Sequence, residues 1–114
     1  MPADWQLPPG VSRSLWEFAA DRVLAETEDQ HLNQTPLLEF DHRLVSEWFA
    51  TSGGLIDLGC GTGRSLELFA RRGFACTGVD LSQPSLVVAG RRLAEAGLAA
   101  TLLRGNLCEL TVLP

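Results

Sequence analysis

Asp57, Gly59, Gly61 and Gly63 stand at alternate positions in Leu55-Ile56-Asp57-Leu58-Gly59-Cys60-Gly61-Thr62-Gly63-Arg64, and a second carboxylate, Asp80, follows 23 positions after the first. Glycines at that spacing let a backbone take positive φ and come close to a ligand. The apolar run before them reads as a buried strand, and the pattern from Arg64 to Arg72 reads as a helix. The amides at the start of that helix then point, unpaired, at whatever polar group lies there. Asp80 falls at the end of a second short apolar run, Phe74 to Val79. A carboxylate there can accept two hydrogen bonds from vicinal ribose hydroxyls, each strengthened by its charge. Its plain alternative is a residue capping the next helix.

Of two other glycine-turn chemistries, one finds no match and the other is disfavoured. A phosphate loop needs Gly-x-x-x-x-Gly-Lys-Ser/Thr, and the chain carries that pattern nowhere. The dinucleotide fingerprint needs a third glycine where Arg64 stands. Asp57 is harder to explain as scaffold, because an unpaired carboxylate in an apolar strand is costly.

Asp-Leu-Gly-Cys-Gly-Thr-Gly, with Asp80 downstream, resembles the first motif of the class I S-adenosylmethionine-dependent methyltransferases. The resemblance implies S-adenosyl-L-methionine as cofactor and methyl transfer to a small-molecule acceptor. It implies that Asp57 helps hold the ammonium end of the methionine moiety. Gly59, Cys60, Gly61 and Gly63 would then line the amino-acid tail, with Cys60 serving as a small residue rather than a nucleophile. Asp80 would hold the ribose, and Leu81 and Leu107 would sandwich the adenine unless they are ordinary core. Asn106 replaces the family's usual Asp at its place; its side-chain oxygen can still accept from the adenine amino group, without the full charge. No catalytic base can be named from this stretch, and no metal site is expected. The likeness covers Gly53 to Leu110, the N-terminal half of the family's domain.

The elements that must position these residues follow from periodicity. Leu7-Pro8-Pro9-Gly10 is an extended lead-in. Ser14 and Glu17 form a capping box for a helix reaching about Glu26, with Leu15, Phe18, Ala19 and Val23 as its stripe. Glu28 to Gln34 is polar and reads as a connector. Thr35-Pro36 opens a second helix with Leu37, Phe40, Leu44, Val45 and Trp48 apolar, ended by Thr51-Ser52-Gly53-Gly54. These two helices resemble the N-terminal extension that many of these methyltransferases fold over the cofactor and substrate side; within it Arg13, Trp16 and His42 are read as packing or solvated surface in preference to ligand contacts. Leu66, Phe69 and Ala70 face a core, and Gly73 closes their helix. Ser82 caps a further helix with Pro84 in its first turn and Leu86, Val87, Leu93 and Ala94 apolar, stopped by Gly97. Ala100 to Arg104 is a third strand.

Strand, helix, strand, helix, strand predicts an α/β fold: a Rossmann-like, doubly wound parallel sheet in the order 3-2-1, truncated after about three strands. Residues 1–52 form an N-terminal helical extension and residues 53–114 half of a cofactor-binding domain. Without a fourth strand, Leu55, Ile56 and Leu58 are expected on an open edge, which points to a fragment or to self-association or pairing with another chain. A nucleoside-cofactor module completed by a partner is therefore an alternative to a self-sufficient enzyme; a nicotinamide-dependent oxidoreductase is a weaker one.

The 114 residues carry a net charge of −5, which argues against nucleic acid or an acidic membrane as partner. No apolar run approaches the roughly 18 residues that span a bilayer. Cys60, Cys76 and Cys108 are odd in number and widely spaced, which suits a reducing compartment. The expected location is the cytoplasm.

Overall fold

The computed structural model describes residues 2–32, 36–49 and 52–109. Helices α1 (Arg13–Ala20), α2 (Arg22–Leu32) and α3 (Leu37–Trp48) precede β1 (Gly53–Leu58), α4 (Arg64–Arg71), β2 (Phe74–Asp80), α5 (Gln83–Glu95) and β3 (Thr101–Arg104). All strands are parallel, with β2 central in the order β1-β2-β3, which is the expected topology. Leu55 pairs with Cys76 and Asp57 with Gly78, so these four share one face of the sheet. Against that face, Leu66 and Phe69 of α4 and Leu86 and Leu93 of α5 join Cys60, Phe74 and Cys76 in the core. Phe69 sits edge-on to both Phe49 and Phe74, at 4.9 and 5.2 Å between centroids.

Two glycines permit this close layering. A Cβ on Gly78 would lie 2.5 Å from Leu66 Cδ1 and 2.9 Å from Cys60 Sγ. Gly63 caps α4 at φ +84°, and a Cβ there would lie 2.8 Å from that of Ala89. The two crossover helices meet at that point.

The N-terminal half departs from expectation. The first helix is capped by Ser12, whose hydroxyl accepts from the Leu15 amide at 3.2 Å, so the Ser14–Glu17 box is not the cap. The chain then breaks at Asp21, whose carboxylate accepts from the Leu24 amide at 2.9 Å and starts α2. Residues 28 to 32, expected in a connector, are helical. Of the stripe expected on α3, Val45 is buried while Phe40, Leu44 and Trp48 are exposed. Thr35 and Thr51 and the Leu37 side chain lie outside the described residues. On α5 it is Val88 and Ala89, not Val87 and Ala94, that are buried beside Leu86 and Leu93. Contact with α4 at Gly63 and with α2 turns the helix to present that side.

β1 lies at one side of the sheet, as expected, and Ile56 and Leu58 are 51% and 49% exposed. Leu55 points to the opposite face and is partly covered by the core.

Candidate functional site

The glycine turn folds back onto the end of β2. The amides of Gly59 and Cys60 both donate to the Val79 carbonyl, at 2.7 and 3.0 Å. The Gly61 amide donates to Asp80 Oδ2 at 2.8 Å, and the Ser82 amide to Asp80 Oδ1 at 2.8 Å. Both oxygens of Asp80 are thereby fixed, and each keeps a lone pair for a further donor. Gly59, Gly61 and Gly63 all have positive φ, at +83°, +55° and +84°, which explains the alternation seen in the sequence.

A cavity of about 360 Å³ opens beside this turn, within the range of small-ligand sites. Its floor comprises Gly59, Gly61, Asp80 and Leu81, with Leu107 at one side. Five of the nine residues named from the sequence thus share one wall. Leu15 and Phe18 of α1 and Leu24 and Glu28 of α2 close it from above. Their exposure, 45% for Leu15 and 60% for Phe18, is therefore partly exposure to the cavity. The roof is held down by the Ser82 hydroxyl, which donates to the Ala19 carbonyl at 2.5 Å, and by an Arg91–Glu26 ion pair, also at 2.5 Å.

The other four named residues lie outside this lining. Cys60 is buried in the core, where burial, with Asp80 and Asp57 nearby, pushes its thiol up to about 12. That excludes a thiolate nucleophile at neutral pH. Gly63 is taken up by Ala89. Asp57 is half-buried near the end of β1; burial, then the charge of Asp80, holds its carboxyl above the ordinary value. The Asn106 amide donates from Nδ2 to the Pro9 carbonyl at 2.7 Å, and its Oδ1 accepts from the Cys108 amide at 3.1 Å. One lone pair on Oδ1 remains.

A helical cover on the cofactor side was implied by the resemblance, but Leu15, Phe18, Leu24 and Glu28 were not named from the sequence as the residues that line it. Asp21 followed by three helix-compatible residues is a capping signal for α2, and it was available. That Leu15 and Phe18 face a cavity rather than a core has no signature in periodicity. Arg13 bonds to Asp4 and to the Pro2 carbonyl, both at 2.6 Å, His42 is exposed, and Trp16 lies over a separate hollow beside Arg22, so none of the three lines the cavity.

A family profile described as a methyltransferase domain matches residues 55–114. The chain belongs to the class I S-adenosylmethionine-dependent methyltransferases. A ubiquinone biosynthesis O-methyltransferase of Caulobacter vibrioides is 31% identical over 96 residues, 84% of this chain and 36% of that protein. The chain thus spans about a third of the length of the curated relatives it matches over most of its own length. A crystal structure of a putative S-adenosyl-L-methionine-dependent methyltransferase from Methanococcus maripaludis matches the fold with a TM-score of 0.67 at 21% identity, over 81% of this chain and 45% of that one. A glycopeptide N-methyltransferase complexed with sinefungin matches with a TM-score of 0.52 at 22% identity, over 66% of this chain and 32% of its own. The cofactor of this methyltransferase family is S-adenosylmethionine. The span matched by the family profile, residues 55–114, contains the glycine turn, Asp80, Leu81 and Leu107, but none of the roof. Among the described residues no helix is long and apolar enough to cross a membrane.

Proposed function

We propose that the cavity beside the glycine turn binds S-adenosylmethionine and that the protein transfers its methyl group to a small-molecule acceptor. The observation that carries this reading is Asp80, pinned by the Gly61 and Ser82 amides on the wall of the cavity. The donor set suits the group. Glu28 and Asp80 are the charged residues on the lining, among apolar walls, and no Lys, Arg or His joins them among the described residues. A cationic nucleoside fits such a chamber, whereas a pyrophosphate would meet two carboxylates without a counter-charge.

In this reading Asp80 holds the ribose hydroxyls, and Leu81 and Leu107 flank the base. Gly59 and Gly61 admit the chain that leads to the amino-acid end, and Asp57 attracts its ammonium group. Gly63 and Cys60 shape the turn from beneath, and Asn106 fixes the loop that carries Leu107. Bound there, the cofactor would supply an electrophilic methyl on sulfur for an acceptor's lone pair, with the bonding pair left on sulfur. The protein contributes proximity and alignment. The O-methyltransferase name of the Caulobacter relative supports an oxygen acceptor.

A second reading rests on the uncovered side of β1, with Ile56 and Leu58 half exposed. There the chain is a nucleoside-binding module whose sheet is continued by further strands along β1.

Calorimetric titration of the chain with S-adenosylmethionine, S-adenosylhomocysteine and NAD tests the site. Binding of the first two and not the third is expected, abolished or strongly weakened by Asp80→Ala. Binding of NAD in preference to both would overturn the assignment.

A further inference from the structure

The roof brings a carboxylate to the glycine turn that the family match does not include. Glu28 lies on α2, and its Oε2 would stand 3.8 Å from a Cβ built on Gly61. The Gly61 amide in turn bonds Asp80 at 2.8 Å, so one glycine lies between two carboxylates whose oxygens are at most about 9 Å apart. The placement is secured on both sides. Ala25, three residues before Glu28, is buried, and Glu26 is tied to Arg91 of α5. Arg92 feels the charge of Glu28; its Nε donates to the Thr62 carbonyl at 2.9 Å and its Nη1 pairs with Glu67 at 3.4 Å. Arg92 is not part of the cavity lining, and Glu28 is.

We propose that Glu28 recognises the positive charge on the cofactor's sulfur, so that this cavity binds the sulfonium form in preference to the neutral thioether left after methyl transfer. The inference rests on the reading of the cavity as the S-adenosylmethionine site. Covalent connectivity sets where the sulfur must be. It is one methylene from the ribose ring that Asp80 holds and two from the carbon bearing the ammonium drawn toward Asp57. Between those anchors lies the stretch Gly59 to Gly61, and Glu28 stands over its far end. Leu15, Phe18 and Leu24 give the same chamber apolar walls, beside which a charge–charge contact is stronger than in open water. Once the methyl has left, the attraction is gone, and the product is held only by its ribose, base and amino-acid contacts. Glu28 thus acts on the cofactor-to-product affinity ratio, a role apart from that of Asp80, which meets groups common to both molecules.

The experiment is a calorimetric titration of the 114-residue chain and its Glu28→Gln and Glu28→Asp variants with S-adenosylmethionine and with S-adenosylhomocysteine, folding being compared by circular dichroism. Glu28→Gln keeps the shape and removes the charge. It should weaken the sulfonium ligand roughly ten-fold and the thioether less than two-fold, as expected for loss of one screened contact between opposite charges. Glu28→Asp, which restores the charge, should recover part of the preference. Equal weakening of both ligands would make Glu28 a ribose or ammonium contact and overturn the proposal. Unchanged affinities for both would also overturn it. If the wild-type chain folds and binds neither, the cofactor-site reading itself fails, and this proposal with it.

Discussion

The Asn106 side chain donates to the carbonyl of Pro9 at 2.7 Å, joining residues 97 positions apart. Beside that bond Gly10, at φ +77°, abuts Cys108 Sγ, and the buried Val11 follows. The lead-in to α1 is therefore latched to the loop after β3. Asn106→Ala should cost about 1 kcal/mol, the usual net value of one such bond. Urea unfolding checks the magnitude. Hydrogen exchange should show the loss concentrated at residues 11 to 20, while β2 amides stay protected.

Asp80→Ala should weaken S-adenosylmethionine by roughly 1.5–3 kcal/mol, the worth of hydrogen bonds to a charged acceptor. It also strands the Gly61 and Ser82 amides, so the melting temperature should fall in the absence of ligand. Asp80→Asn retains one oxygen acceptor and should fall between the two. Calorimetry and thermal unfolding separate the effects; an unchanged dissociation constant for the alanine variant would refute the ribose role.

Gly63→Ala meets both a left-handed backbone and the Cβ of Ala89 at 2.8 Å. The combined strain and overpacking should cost about 2–4 kcal/mol. The double change Gly63→Ala with Ala89→Gly removes the clash and leaves the φ penalty. It should recover a measurable part in a denaturation series. Full recovery would mean that backbone strain contributes nothing.

Asp57 costs the fold stability at neutral pH. Its carboxyl titrates above the ordinary 3.8 because burial, and then Asp80, disfavour the charge. The native state therefore holds a proton that the unfolded chain has released, and stability falls as pH rises from about 3.8 through the raised native value. Above that window the full penalty persists. Asp57→Asn should raise the melting temperature of the ligand-free chain at neutral pH while lowering affinity for the cofactor.

Cys60 follows the same sign at the other end of the scale. Its thiol is pushed from 9.0 to about 12, chiefly by burial, and Cys76 is raised as well. Below pH 9 neither affects stability; above it the unfolded chain ionises first, and stability should decline until the native thiols titrate. Thiol-reagent labelling of the native chain at pH 8 should modify the exposed Cys108 quickly, and the buried Cys60 and Cys76 only on unfolding. Rapid labelling of Cys60 would contradict its burial.

The strands, the glycine turn and Asp80 were legible because each is written in a short window of sequence. Leu55 to Leu58 is a local apolar run, the alternating glycines encode positive φ, and Ser82 with Pro84 announces α5 two residues after Asp80. The roof was not legible in that way. Whether Ser12 or Ser14 caps α1 depends on which hydroxyl can reach a free amide, and both stand before the same apolar pattern. The polar sequence of residues 28 to 32 is helical because Ala25 and Glu26 dock α2 on α5, a tertiary effect that overrides composition. The same docking converts Leu15 and Phe18 from an expected core stripe into a cavity wall. Gly78 was passed over because an isolated strand glycine does not disclose what packs on it.

The bonds that hold the roof join residues made early to residues made late: Ala19 to Ser82, Glu26 to Arg91, and Pro9 to Asn106. On a ribosome, α1 and α2 leave the exit tunnel before α5 and the loop after β3, and have no surface to rest on until those have emerged. The order of docking is thus the reverse of the order of synthesis, and contacts of such long sequence separation form slowly. During that interval Leu15, Phe18 and Leu24 are bare. The cavity therefore comes into being only after α5 and the loop after β3 are in place, because its upper wall docks on them.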